Sequence, residues 1–170
     1  HVTPESDSTL VSTIYTAIGD AQQGRGHLRE AFAAYDTALI YDRDNVECLN
    51  NYAYHLAVAG QRLHAALRMA QRAVEISPSY IDTYAWTLYR NRKYKAAQVQ
   101  MDEVINVIEN SEKLTAPDAT TAGYYDRAGD IYAALGRRKE AVDYWKRALQ
   151  FSDDAALNKR LYRKLKHRRS

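Results

Sequence analysis

The side chains of this chain that could do chemistry are histidines, one cysteine and a pair of carboxylates, and their spacing does not favour catalysis. The five histidines are scattered along the sequence, and none is spaced from Cys48 as a nucleophile–base pair or a metal site requires. A single cysteine also cannot form an internal disulfide. The sequence therefore predicts no metal site, no cofactor and no enzymatic activity.

Two local patterns have both a chemical and a simpler structural interpretation. Asp126 and Asp130 are four residues apart, which would place two carboxylates on one face of a helix. Arg127 beside them favours a surface that is solvated or faces a partner. The string GRGH at 24–27 contains two glycines, but no phosphate-binding loop follows it. We expect neither pattern to form a catalytic site.

Basic residues are concentrated near the C-terminus. Residues 153–170 contain seven Lys or Arg and two Asp, so this tail carries +5 while the whole chain carries +3. Such a tail could contact the phosphates of nucleic acid or of anionic lipid. A solvated helix face is the favoured explanation of the charges, since Tyr162 is the only aromatic residue of the tail that could stack on a base. Binding of a polyanion by the tail is therefore the alternative function.

The elements that must position these residues are helices. The chain has 170 residues with only three prolines and seven glycines, which leaves long segments without helix breakers. Its fourteen tyrosines suit half-buried surfaces, because the ring is apolar and the hydroxyl is polar. No segment approaches the roughly 18–20 consecutive apolar residues of a membrane span.

One helix-like sequence occurs four times. REAFAAYDTAL (29–39) and KEAVDYWKRAL (139–149) place Ala, an aromatic residue and Ala at the same offsets, and HAALRMAQRAV (64–74) and KAAQVQMDEVI (95–105) repeat the pattern more weakly. Twelve residues before the Ala at the third position of each copy stands a small or aromatic residue of another amphipathic segment, namely Gly19, Tyr54, Ala85 or Gly129. The unit is therefore two antiparallel helices joined by a tight turn, in which small residues allow close packing.

This pattern resembles the tetratricopeptide repeat, a two-helix unit of about 34 residues. The resemblance covers about residues 10–152, and the last copy matches best, with Tyr125, Ala128, Gly129, Tyr132, Gly136, Ala141, Trp145 and Ala148. In the third copy Arg92 stands where the family usually has a turn glycine. The resemblance implies an all-α fold, a right-handed superhelical array of about four helix-turn-helix repeats with a C-terminal capping helix.

The resemblance also implies a division of the chain. Residues 1–9 are expected to be a disordered leader or an artificial remnant, and the absence of an initiator Met is typical of an excised or processed piece. The array would occupy 10–152, with a loop at 109–121 in which Asp118 caps the next helix. Residues 153–170 would form the basic capping helix and tail, which covers the last repeat. The repeats are placed at about 12–45, 47–80, 78–111 and 122–155.

In tetratricopeptide proteins the first helices of successive repeats line a concave groove that holds an extended peptide or a partner helix. The resemblance therefore implies a non-catalytic scaffold that binds a protein or peptide partner in this groove. Counted from the Gly/Ala register, the groove residues would be Thr16, Asp20, Gln23, Asn51, Tyr52, His55, Asp82, Trp86, Tyr89, Arg90, Asp126, Arg127 and Asp130.

Trp86 is the most informative of these residues, since a partly open aromatic side chain near an Arg is a common anchor of binding surfaces. The alternative is that Trp86 packs against the second repeat or the 109–121 loop. Asn51 suits a peptide backbone because its amide both donates and accepts, although a simple surface role is also open. Thr16 and Asp20 stand where carboxylate-binding members of the family have Lys and Asn, so we expect no carboxylate clamp. Asp82, Asp126 and Asp130 make the expected groove mixed to acidic, which favours a partner with basic or mixed side chains.

The strings CLNNYAYHLA, YIDTYAWTLY and GDIYAALGRRKEAVDYWKRAL look similar to the C-terminal repeat regions of bacterial tetratricopeptide proteins of the cell envelope, as in Bacteroides-like organisms. This similarity implies the C-terminal part of a longer protein in the periplasm or at the outer membrane, with the cytoplasm as the alternative. Membrane contact would need an anchor outside this sequence or the basic tail. We expect a monomer or weak oligomer, and we expect binding of nucleic acid only in the alternative in which the basic tail binds a polyanion.

Overall fold

A computed structural model describes residues 4–111 and 119–166, and in these residues it contains helices and no β-strand. The helices are α1 (Pro4–Gly24), α2 (Leu28–Tyr41), α3 (Val46–Ala59), α4 (Leu63–Ile76), α5 (Ile81–Arg90), α6 (Tyr94–Glu109), α7 (Ala119–Ala134), α8 (Arg138–Phe151) and α9 (Ala155–Lys166). The predicted all-α fold is confirmed. Within the described ranges, no helix combines the length and the apolar character that crossing a membrane requires.

The first compact unit ends at Asn91 and contains α1 to α5. Helix α1 packs against α2, α3 packs against α4, and α5 packs against both α3 and α4. The Ala–aromatic–Ala pattern of α2 forms the centre of its core, because Ala31, Tyr35 and Ala38 are all fully buried. The small residues let the neighbouring helices approach, and the aromatic ring fills the space between them.

The second compact unit begins at Arg92 and contains α6 to α9. Helix α7 packs against α6 and α8, and α9 packs against α8. The same pattern is buried here, with Ala141 and Ala148 fully buried and Trp145 3% exposed. Helix α9 buries Leu157 and Leu161, as expected for a helix that covers the last pair.

One close contact between a glycine and an aromatic ring occurs in both units. A Cβ atom added to Gly19 would lie 2.5 Å from Cε1 of Tyr35. A Cβ atom added to Gly129 would lie 2.9 Å from Cε2 of Trp145 and closer still to two other ring atoms. Glycine is therefore required at both positions for the ring of the second helix to lie directly on the first helix.

The turn between α3 and α4 contains three residues, as its counterparts do, but its left-handed glycine lies one residue earlier. Gly26 and Gly136 have positive φ and stand five residues before Ala31 and Ala141, whereas Gly60 stands six residues before Ala66. This turn also differs in that a second residue, Arg62, adopts the left-handed conformation, with φ 46°. Helix α3 is consequently shifted by one residue relative to α4.

The predicted division of the chain differs from the structure in two places. Helix α1 begins at Pro4, inside the segment 1–9 that was expected to be a leader, and residues 1–3 lie outside the described residues. Most of the predicted loop at 109–121, including Asp118, also lies outside them. The two helices of the predicted third repeat belong to different units, α5 to the first and α6 to the second.

Candidate functional site

A half-buried carboxylate connects three helices of the first unit. The hydroxyl of Tyr35 donates a hydrogen bond to Asp20 Oδ1 at 2.6 Å, and Asn51 Nδ2 donates to both carboxylate oxygens of Asp20 at 3.1 and 3.2 Å. Burial and the neighbouring Asp20 raise the pKa of Tyr35. Asn51 Oδ1 in turn accepts from Asn50 Nδ2 at 3.1 Å. Asp20 and Asn51 therefore lie side by side, and each satisfies part of the other's hydrogen bonding.

Two of the predicted groove residues lie in the core instead. Tyr52 is fully buried, its ring centre lies 5.5 Å from that of Phe32, and its hydroxyl donates to Asp36 and accepts from Arg62. Thr16 is 2% exposed and accepts a hydrogen bond from Asn45 Nδ2 at 3.3 Å. The expectation that these two side chains line an open groove is therefore wrong. For Thr16 the reason is that Asn45, the N-cap of α3, packs over it.

His55 is an aromatic packing residue. Its ring stacks on Tyr35 with 6.3 Å between ring centres and meets the edge of Tyr54 at 5.3 Å. Burial lowers the pKa of His55, and the nearby Asp20 opposes this shift. The imidazole is therefore neutral near pH 7, and it offers neither a cation nor a paired catalytic base.

An aromatic and cationic cluster lies on α5. The ring of Trp86 stacks on Tyr89 with 4.9 Å between centres and an interplanar angle of 20°. The guanidinium of Arg90 lies 6.0 Å from the centre of the Trp86 ring, within cation–π range. All three side chains are partly exposed, as is Asp82 one turn earlier. The last predicted residue of this unit, Gln23, is partly exposed in the last turn of α1.

In the second unit the predicted groove carboxylates are occupied by the chain's own C-terminal helix. Lys164 Nζ donates to Asp126 at 2.6 Å and to Asp130 at 2.7 and 2.8 Å. Arg160 donates to Asp126 at 3.3 Å, and Trp145 Nε1 donates to Asp130 at 3.2 Å. Burial raises the pKa of Asp130, and the charge of Lys164 opposes the shift. Asp126 and Asp130 therefore hold α9 in place, which corrects their assignment to an open groove.

The cations of the tail divide into two groups. Arg160 and Lys164 face α7 and its two carboxylates. The second group lines an open depression of about 620 Å³ and consists of Lys159, Arg163 and Lys166. Tyr162 lines the same depression. Arg127 of α7 is partly exposed, and its guanidinium lies 5.5 Å from the centre of the Tyr124 ring. Arg168 and Arg169, which also belong to the predicted basic tail, lie outside the described residues.

Comparison with known proteins identifies the fold. The family model of the tetratricopeptide repeat matches residues 121–152. A crystal structure of MamA is 19% identical, with a TM-score of 0.64 over 91% of this chain and 79% of that one. PilF of Pseudomonas aeruginosa is 14% identical, with a TM-score of 0.69 over 94% and 69%. BtubC of P. vanneervenii is 17% identical, with a TM-score of 0.69 over 96% and 67%. No curated protein matches the sequence. The fold is that of a tetratricopeptide repeat array.

The spacing of the small residues in the repeats explains why the groove residues predicted on α3 were wrong. It also identifies one groove position that the sequence analysis missed. Asp20 and Trp86 directly follow the small residues Gly19 and Ala85. In α3 the small residue seven positions before the turn glycine is Ala53, just as Gly19 stands seven positions before Gly26, so the equivalent position is Tyr54. Counting back from Ala66 had hidden this position, because the turn glycine stands one residue further from Ala66 than in the other pairs. Counting back from Gly60 finds it.

The metal-ligating and nucleophilic side chains of the described residues are not gathered into a site. These residues contain no group of three or more His, Cys, Asp or Glu side chains that could hold a metal ion. Cys48 is fully buried, and burial raises its pKa to about 11. Its thiol lies 3.6 Å from the backbone oxygen of Tyr35 and donates to it. Cys48 is therefore a core residue and not a nucleophile.

Proposed function

We propose that this chain is a non-catalytic scaffold that binds a peptide or partner segment on the first helices of its first unit. The tetratricopeptide fold, which generally serves protein–protein interaction, supports the proposal. The observation that carries it is the pair Tyr54 and Trp86. These partly exposed aromatic side chains occupy equivalent positions on α3 and α5, two helices that pack against each other.

The surroundings of this aromatic pair indicate the chemistry of the partner. Aromatic side chains offer a large contact area at a small cost in conformational entropy, which suits them to anchor an apolar side chain. Asp20 and Asp82 provide partly exposed carboxylates on α1 and α5. A segment with an apolar residue close to a Lys or Arg fits this surface better than an acidic segment does.

Selection from a displayed library of random peptides tests the proposal, because such a library samples many side-chain combinations at once. We expect enrichment of peptides with an apolar residue beside a basic one. Trp86→Ala should weaken their binding by about 30-fold or more, the loss typical of a central anchor of about 2 kcal/mol.

Ile40→Ala is the matched control, because Ile40 is 81% exposed on α2. It should leave the binding of the selected peptides unchanged, and far-UV circular dichroism should show both variants folded. Peptides that bind Trp86→Ala as tightly as the unaltered chain would refute the proposed site. A library from which nothing is enriched would refute the proposed activity.

The outward-facing cations of α9 favour polyanion binding as the second candidate function. The side chains that would contact the phosphates of a polyanion are Lys159, Arg163 and Lys166. Arg160 and Lys164 are excluded, because two carboxylates of α7 neutralise them. Three phosphate contacts predict that affinity for an oligonucleotide or an anionic vesicle falls about 20-fold when salt is tripled. Replacing the three cations by Ala should abolish that binding, and its persistence in the triple variant would contradict this candidate.

A further inference from the structure

Helix α9 is attached to the second unit by one face only. Leu157 and Leu161, four residues apart on that face, are 8% and 0% exposed. The exposed side chains of Lys159, Tyr162 and Arg163 lie on the opposite face. A helix of 12 residues is too short to persist in water without tertiary contacts. The position of α9 therefore depends on the contacts of this single face.

The polar contacts of the attached face converge on Lys164. Its Nζ donates to Asp126 at 2.6 Å and to Asp130 at 2.7 and 2.8 Å. The same Nζ lies 5.7 Å from the centre of the Trp145 ring. The backbone oxygen of Lys164 accepts from Arg138 Nη2 at 2.8 Å. Displacement of this one residue would therefore remove most of the polar attachment of α9.

The equivalent carboxylate of the first unit shows that the repeat does not require a cation at this position. Asp20 and Asp130 each directly follow a glycine on which an aromatic ring lies. Asp20 accepts from neutral donors, namely the hydroxyl of Tyr35 and the amide of Asn51 on α3. Helix α3 is in turn packed against α4, whereas the outer face of α9 is exposed. Helix α9 could therefore detach without separating a helical pair.

The two carboxylates of α7 determine what can replace α9. With Lys164 bound, the side chain of Asp126 is 9% exposed and that of Asp130 is 20% exposed. A buried carboxylate without a counter-charge is costly, so a replacement must supply a cation. Asn158 Oδ1 of α9 is buried and has no hydrogen-bond partner among the described residues. A replacing helix need not carry this unfavourable group, which lets it compete with α9.

We propose that α9 is the internal occupant of a docking site on α7 and α8, and that a basic amphipathic helix of a partner protein binds there by displacing it. The sequence of α9 indicates the chemistry that the site accepts. A leucine stands three residues before a cation twice in α9, as Leu157 before Arg160 and as Leu161 before Lys164. A partner helix with the same spacing of leucine and cation makes the same contacts. This site lies in the second unit and does not depend on the site proposed for the first.

A fluorescent peptide with the sequence of residues 154–166 tests the site by anisotropy. In the unaltered chain its apparent affinity is reduced to the extent that α9 occupies the site. Leu161→Ala in the chain loosens α9 and leaves α7 and α8 unchanged, so it should tighten peptide binding by at least about 10-fold. A peptide carrying Arg160→Glu and Lys164→Glu should not bind, because it places carboxylates against those of α7.

Tyr162→Ala in the chain is the matched control, because Tyr162 belongs to the same helix and is 56% exposed. This variant should bind the peptide no more tightly than the unaltered chain does. Circular dichroism should show both variants folded. Equal peptide affinities of the Leu161→Ala and Tyr162→Ala variants would overturn the proposal, and so would tight binding of the charge-reversed peptide.

Hydrogen exchange of the unaltered chain tests the displacement without any substitution. The amides of α9 should exchange together and at least about 10-fold faster than those of α8, because α9 opens while α7 and α8 stay packed. Excess peptide should speed the exchange of α9 further and leave that of α8 unchanged. If α9 exchanges as slowly as α8, or if the peptide does not alter its exchange, α9 is a permanent part of the unit and the proposal is wrong.

Discussion

Replacing Gly129 by alanine tests the packing that both units share. The added Cβ would lie 2.9 Å from Cε2 of Trp145 and closer still to Cδ1 and Nε1 of the same ring. The ring has little room to move, because Trp145 is 3% exposed and its Nε1 donates to Asp130. The guanidinium of Arg138 also lies 4.9 Å from the ring centre. The substitution therefore forces either the ring or helix α7 to shift.

The expected loss follows from three contributions. Alanine in place of glycine inside a helix stabilises the folded state by about 1 kcal/mol. Overpacking a well-packed core costs about 1–3 kcal/mol, and loss of the Trp145–Asp130 hydrogen bond costs about 1 kcal/mol more. We expect Gly129→Ala to lower the free energy of unfolding by about 1–3 kcal/mol.

Gly123→Ala in the same helix is the matched control. Its added Cβ would meet only the end of the flexible Arg127 side chain, at 3.5 Å, so the gain in helix propensity of about 1 kcal/mol should be retained. Urea unfolding followed by circular dichroism at 222 nm measures both variants. If Gly129→Ala proves as stable as the unaltered chain while Gly123→Ala behaves as expected, the close contact with the ring is not what requires glycine.

Three further predictions concern charge, burial and the backbone. Lys164→Met should cost about 3 kcal/mol at pH 7, because Asp130 loses its main counter-charge. Burial raises the pKa of Asp130, so the folded state takes up a proton more readily than the unfolded chain does. The loss in the free energy of unfolding, measured with urea, should therefore be smaller at pH 5 than at pH 7. A loss that is larger at pH 5 would contradict this prediction. Cys48, with its pKa raised to about 11, should resist iodoacetamide at pH 8 in the folded chain and react in urea, as mass spectrometry would show. Arg92→Gly should raise the free energy of unfolding by about 0.5–1 kcal/mol, because Arg92 has a φ of 60°, a left-handed conformation that is unfavourable for a residue with a Cβ atom. An unchanged free energy of unfolding would mean that this conformation does not destabilise the folded chain.

Much of the fold could be predicted from local sequence patterns. The Ala–aromatic–Ala pattern predicts a helix with one buried face, and Ala31, Tyr35 and Ala38 are all fully buried. The segment predicted to cover the last repeat likewise buries one face, with Leu157 and Leu161 buried. These predictions succeed because side chains three or four residues apart share a helix face whatever the helix packs against.

The candidate site could be predicted only in part. Trp86 and Arg90 were selected from the sequence, and they lie close together because both belong to one short helix. Tyr54 was missed and Tyr52 was wrongly included, because Gly60 stands six residues before Ala66, whereas the other turn glycines stand five residues before the equivalent Ala. A shift of one residue rotates a side chain by about 100° around the helix axis, which is enough to exchange a surface position for a core position.

The sequence by itself determined the helical repeat unit and the identity of its buried second-helix faces, since both follow from periodicities within a dozen residues. Only the tertiary structure decided which first-helix residues remain available to a partner. Asp126 and Asp130 look like surface carboxylates in the sequence, yet they are neutralised by Lys164, which stands 38 and 34 residues later. Such a pair forms because burial makes an uncompensated charge costly, and the burial exists only once α9 has packed against its neighbours.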